Sequence, residues 1–134
     1  MRSWLYAAVG WTLMIAALCW TPGEVVQRVG DESNFFRLPN FDKLVHTGLF
    51  MGFAFFWLKA SHPPKRFMPV MIGGLAWTAI TELGQLSSYV NRDARLDDAA
   101  FDMLGVLLGG LAYYWLESRQ ERTRATTAIE AEAA

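Results

Sequence analysis

Residues 3–23 read SWLYAAVGWTLMIAALCWTPG and contain no charged side chain. A helix that crosses a bilayer needs about 20 mostly apolar residues, and this run is long enough. Thr21, Pro22 and Gly23 close it, because proline cannot continue the backbone hydrogen bonding of a helix. The first helix is therefore expected over residues 3–20. Met1 and Arg2 give it the positive start of a signal peptide, yet Cys19 and Trp20 leave no small-x-small cleavage site. It reads as a retained helix.

Three more apolar blocks follow. They predict helices over 41–60, 67–88 and 97–116. A polar connection fills 24–40, and Pro63 and Pro64 force a turn before the third block. A polar loop at 89–96 precedes the fourth. Residues 117–134, rich in Ala, Glu, Arg and Thr, are expected to prolong the last helix briefly and then fray as a polar tail. Residues 1–116 thus form one domain.

Apolar residues make up 53% of the 134, above the roughly 45–50% of soluble chains, and they come in blocks. A soluble chain this short lacks the volume to hide four helices that are apolar all round. The expected fold is all-α, an integral membrane four-helix bundle. The net charge of −1 argues against a nucleic-acid partner. Cys19 is the sole cysteine, which rules out an internal disulfide and a cysteine-based zinc site.

Basic residues set the orientation. Arg2, Lys59, Lys65, Arg66, Arg119, Arg122 and Arg124 fall on one side. Arg28, Arg37, Lys43, Arg92 and Arg95 fall on the other, interleaved with acids. Both termini are therefore expected in the cytoplasm. The start of the second helix, the end of the third and the start of the fourth then meet at the outer face.

Those three ends carry the polar residues: Asp42, Lys43 and His46; Glu82 and Gln85; Asp97, Asp98 and Asp102. With a rise of about 1.5 Å per residue, His46, Glu82 and Asp102 lie about 8–9 Å deep. Charge at that depth is costly and is kept for a purpose. Plainer roles compete for the shallower groups. Asp42 and Asp97 or Asp98 suit helix N-termini, Lys43 can snorkel to the interface, and Arg95 can neutralise Asp98 or Asp93. His62 lies in the opposite turn and is expected to be inert.

Small residues mark packing faces. Gly48 with Gly52, and Gly105 with Gly109, have the spacing that lets membrane helices approach closely, and Gly73, Gly74 and Ala76 suit the same role on the third helix. Trp4, Trp20, Trp57, Tyr89, Tyr113 and Trp115 fall near helix ends, as interface anchors do.

Phe41, Asp42, Lys43, Leu44, Val45 and His46 together resemble the Asp-Lys-x-x-His opening of VanZ-like membrane proteins. Glu82, Leu83, Gly84 and Gln85 are similar to that family's Glu-x-x-Gln. Arg92, followed by Asp98, Asp102, Gly105 and Gly109, resembles its Arg…Asp-x-x-x-Asn-x-x-Gly-x-x-x-Gly tail. The resemblance covers residues 39–116. Asp102 departs from it, standing where the family usually has Asn. The resemblance implies a multi-pass protein of the bacterial inner membrane with a polar site, and a family linked to resistance to the glycopeptide teicoplanin. It implies no reaction.

Three functions are compatible with these residues. The first is binding of a lipid headgroup or lipid-linked cell-envelope precursor, without a cofactor. Lys43, His46 and Arg92 would contact phosphate, and Asp42, Glu82, Gln85, Asp98 and Asp102 would complete the site. The second is a metal-assisted hydrolase or transferase acting on a membrane lipid, with His46, Glu82, Asp98 and Asp102 as ligands of a divalent cation. His46, Glu82 and Asp98 are the catalytic candidates. The third is a structural membrane subunit whose polar network fixes helix register.

Overall fold

Helix breaks fall where the chain carries proline, glycine or a polar run, and four long helices stand among the described residues. In a computed structural model the chain is described at residues 2–22, 24, 25, 28, 41–61, 67–87, 90 and 96–132. The helices are α1 (Arg2–Cys19), α2 (Phe41–Ala60), α3 (Phe67–Gln85) and α4 (Leu96–Glu132), with no strand among the described residues. The limits of α2 are those expected. α3 stops at Gln85 rather than at Ser88. The larger correction concerns the tail. α4 runs unbroken for 37 residues, so 117–132 are helical rather than frayed. Ala, Glu and Arg, which dominate that stretch, are among the strongest helix formers.

α2 sits at the centre. It packs against each of the other three helices, most extensively against α4. Thr47 hydrogen-bonds the Phe101 carbonyl across 54 residues, His46 meets Asp102 across 56, and Lys59 bonds Glu117 across 58. So nearly constant a separation, from one end to the other, means that α2 and α4 run parallel. α3 runs opposite to α4, since Gly74 lies against Val106 and Gly110 against Phe67. α1 is tied to α2 by Trp11, whose Nε1 donates to the Leu49 carbonyl at 2.8 Å, and by Trp57, which donates to Thr12 at 3.0 Å. The start of α2, the end of α3 and the start of α4 therefore share one end of the bundle.

Glycines set the spacing at the central seam. A Cβ on Gly105 would overlap the Thr47 carbonyl oxygen, and one on Gly109 the Met51 carbonyl oxygen. The α4 Gly-x-x-x-Gly pair is thus a true close-approach face. The pair on α2 is not. Gly48 faces open space and Gly52 is covered by the Trp11 indole. On α3, Gly74 packs against Val106 while Gly73 is open. Tyr113 also departs from expectation. It is buried at 5% exposure in the core with Ile15, Phe50, Phe53 and Leu58, so it is a core residue and not an interface anchor.

The outer surface is apolar. Leu13, Leu44, Ile72, Leu83 and Leu111 are 62–68% exposed. α1, α3 and α4 are long and apolar enough to cross a membrane, and only 22%, 22% and 33% of their most apolar windows is buried within the bundle. α2 is not among these three, and it carries Asp42, Lys43, His46 and Lys59. Packed against all three others, it can carry groups on its inner face that a lipid-facing surface could not.

Gly109→Val is expected to destabilise the fold by about 1–3 kcal/mol through overpacking, and Gly48→Ala to leave it unchanged. Thermal unfolding in detergent compares the two; equal melting temperatures would show that α2 and α4 are not in backbone contact.

Candidate functional site

Three helices bring their ionisable groups together at one end. Asp42 and His46 are one turn apart on α2, Glu82 and Gln85 lie in the last turn of α3, and Asp98 and Asp102 are one turn apart on α4. Asp42 and Asp98 stand in the first turns of their helices, where a carboxylate meets the positive end of the helix dipole.

The centre is His46. It is 4% exposed, and its Nδ1 lies 2.8 Å from Oδ1 of Asp102, which is fully buried. With the proton on Nδ1, the imidazole donates to Asp102 and presents its Nε2 lone pair towards Asp42, 3.9 Å away. His46 belongs to two clusters whose potential ligand atoms lie within 4.8 Å of one another: one with Glu82 and Asp102, the other with Asp42 and Asp98. Sequence spacing expected His46, Glu82 and Asp102 at matched depth on separate helices, and the structure brings them within reach of each other. Gln85 is 1% exposed at the same end.

Lys43 takes a different position. Its Nζ pairs with Asp97 at 3.3 Å and lies 5.2 Å from the centre of the Phe101 ring. It borders a groove of about 460 Å³ lined by Lys43, Leu44, Thr47, Phe101 and Leu104. Thr47 also lines it, its single hydroxyl hydrogen shared between the Lys43 carbonyl at 2.9 Å and the Phe101 carbonyl at 3.3 Å. Arg92 and Arg95, expected over the site, and His62, expected in the opposite turn, lie outside the described residues.

Two participants were not foreseen. Thr78 and Thr81, 2% and 0% exposed, continue the buried stripe of α3 that runs Val70, Gly74, Thr78, Thr81, Gln85. Thr81 donates to the Thr78 carbonyl at 2.9 Å. The Thr78 hydroxyl lies within hydrogen-bonding reach of the Asp102 carboxylate, while Gln85 Nε2 meets no partner among the described residues. The signal was the spacing itself, small or polar residues every three or four positions on one face. At the other end of the seam Lys59 bonds Glu117 and lies 5.4 Å from the centre of the Tyr113 ring.

Among the described residues this end is acid-rich: Asp42, Glu82, Asp98 and Asp102 surround one imidazole, and the nearby Lys43 already has Asp97. Such an interior suits a cation or proton chemistry, while the groove side offers the one ammonium. No family model, curated protein or solved structure matches the chain.

Asp102→Ala strips His46 of its buried acceptor and is expected to cost about 1–3 kcal/mol. Asp42→Ala, at a half-exposed side chain 3.9 Å from the ring, is expected to cost less. Thermal or chemical unfolding of both variants checks the order, and a larger loss for Asp42→Ala would show that the His46–Asp102 pair is not the central contact.

Proposed function

We propose that the chain is a VanZ-like protein of the bacterial inner membrane that binds a lipid headgroup, of a phospholipid or a lipid-linked cell-envelope precursor, at the polar end of its bundle. In this reading all four helices span the bilayer. Both termini face the cytoplasm, as the basic residues at the N-terminus and along α4 favour. The polar end then lies at the outer leaflet. The apolar exterior and the three helices of sufficient length support the membrane assignment. The family assignment rests on the motif resemblance, as does any link to teicoplanin-type resistance.

The observation that carries the binding reading is the groove on the α2–α4 seam. It is lined by one cation, Lys43, together with Leu44, Phe101 and Leu104, a combination that suits a phosphate joined to an acyl chain. Lys43 and Asp97 are 29% and 36% exposed. A pair that exposed is worth about 0–1 kcal/mol, so a phosphate can displace the carboxylate at little cost. Arg92 would add a second phosphate contact, and the acids beneath would orient amine or hydroxyl groups of the headgroup. The alternative, a metal-assisted hydrolase or transferase acting on the same lipid, would draw on His46 and the carboxylates around it.

Protein purified in mild detergent is expected to retain phospholipid or precursor lipid detectable by mass spectrometry, and Lys43→Ala to retain several-fold less. Equal retention by the two would overturn the proposal.

A further inference from the structure

Resting on the headgroup reading of the α2–α4 groove, we infer that this groove selects a phospholipid whose headgroup carries both a phosphate and a primary ammonium, as phosphoethanolamine does.

The groove meets its ligand with a pair of charges. Lys43 Nζ lies 3.3 Å from Oδ2 of Asp97, and both side chains are partly exposed. The Lys43 head also sits 5.2 Å from the centre of the Phe101 ring, within the distance at which a ring face attracts an ammonium. A positive and a negative group therefore stand side by side at the groove. A phosphoethanolamine headgroup has the same two charges, joined by two methylenes. Set against the protein in the opposite order, its phosphate meets Lys43 and its ammonium meets Asp97. When the phosphate takes Lys43, the carboxylate it displaces gains a new partner from the same molecule.

Other headgroups satisfy only half of this pair. A headgroup with a phosphate and no cation pairs with Lys43 but brings a second negative charge up to Asp97. Like charges set together at an interface are a means of rejecting the wrong partner. A choline headgroup carries both charges, but its quaternary nitrogen has no N–H to donate to the Asp97 carboxylate, and hydrogen bonds between charged groups are the strong ones. Recognition of a quaternary cation calls for an aromatic cage, and Phe101 is the one aromatic residue lining the groove. Thr47 adds no donor, since its hydroxyl hydrogen is engaged by the Lys43 and Phe101 carbonyls. Leu44, Phe101 and Leu104 have no polar side-chain group. Among the described residues of the groove, selection falls to Lys43 and its partner.

A separate observation points to a lipid rather than a small zwitterion. Asp97, Phe101, Leu104, Leu108 and Leu111 recur every three or four positions along α4, so they share one face. Phe101 and Leu104 line the groove, and Leu104, Leu108 and Leu111 are exposed. From Leu104 to Leu111 this apolar track runs about 10 Å. Paired charges at one end and an apolar track leading away from them reproduce the order of groups in a phospholipid. A free amino acid would leave the track bare.

The test uses the full chain in mild detergent. The protein is incubated with an equimolar mixture of phosphatidylethanolamine, phosphatidylcholine and phosphatidylglycerol with identical acyl chains. It is then repurified, and the bound lipid is counted by mass spectrometry. Wild type is expected to hold phosphatidylethanolamine several-fold above each of the others. Asp97→Asn, which keeps a residue suited to a helix N-terminus, is expected to lose that preference while still holding lipid. Glu121→Gln makes the same change of charge on the exposed tail and is expected to keep the preference. Lys43→Ala is expected to hold several-fold less of all three. Wild type that holds phosphatidylglycerol or phosphatidylcholine as well as phosphatidylethanolamine overturns the inference, as does a preference that survives Asp97→Asn or is lost equally in Glu121→Gln. Should Asp97→Asn fail to fold, the wild-type ratios decide. Lipid held without preference and lost in Lys43→Ala removes this inference alone. Equal retention by wild type and Lys43→Ala removes the headgroup reading and this inference with it.

Discussion

The close approach of α2 and α4 governs this molecule. Two glycines on α4 let its backbone rest against the carbonyls of Thr47 and Met51, and that contact fixes the height of each α4 residue relative to α2. His46 then faces Asp102, Lys43 faces Asp97, and Lys59 faces Glu117. A side chain at either glycine would push the helices apart, and the 2.8 Å hydrogen bond between His46 and Asp102 would be among the first contacts to lengthen. The polar end is thus a product of steric permission elsewhere in the seam.

The same arrangement explains how the central helix can hold polar groups. α2 carries charge at both ends, yet each inward-facing group has protein around it. α1, α3 and α4 turn leucine, isoleucine and valine outward, as α2 does at Leu44. Polar chemistry is held inside, apolar surface outside, which is the inverse of a water-soluble bundle.

Much of the fold was legible in the sequence. The charge-free run at residues 3–23 and the paired prolines at 63 and 64 gave three helix ends nearly to the residue, because apolar length and lost hydrogen bonds act locally. Asp42, His46, Glu82, Asp98 and Asp102 could be assigned to one end because up-and-down topology follows from short connections. What failed depended on neighbours. Gly48 and Gly52 have the spacing of a packing motif, yet only contact with another helix makes it one, and here Trp11 occupies Gly52. Tyr113 resembles an end anchor until Phe55 and Lys59 are found around it. The helical tail was missed because its charge suggested fraying, while its composition favours helix. Thr78 looked ordinary because a threonine matters only when the group across from it is a carboxylate.

The glycine seam also limits how this protein can move. Slide α4 by one turn along α2 in one direction and Tyr113 takes the place of Gly109, its ring driven at the Met51 carbonyl. Slide it the other way and Phe101 replaces Gly105 against Thr47. Either step also breaks the ion pairs at both extremities. A piston stroke is therefore closed to this pair, and an event at the acidic end can reach the far end only by tilting the two helices as one rigid lever.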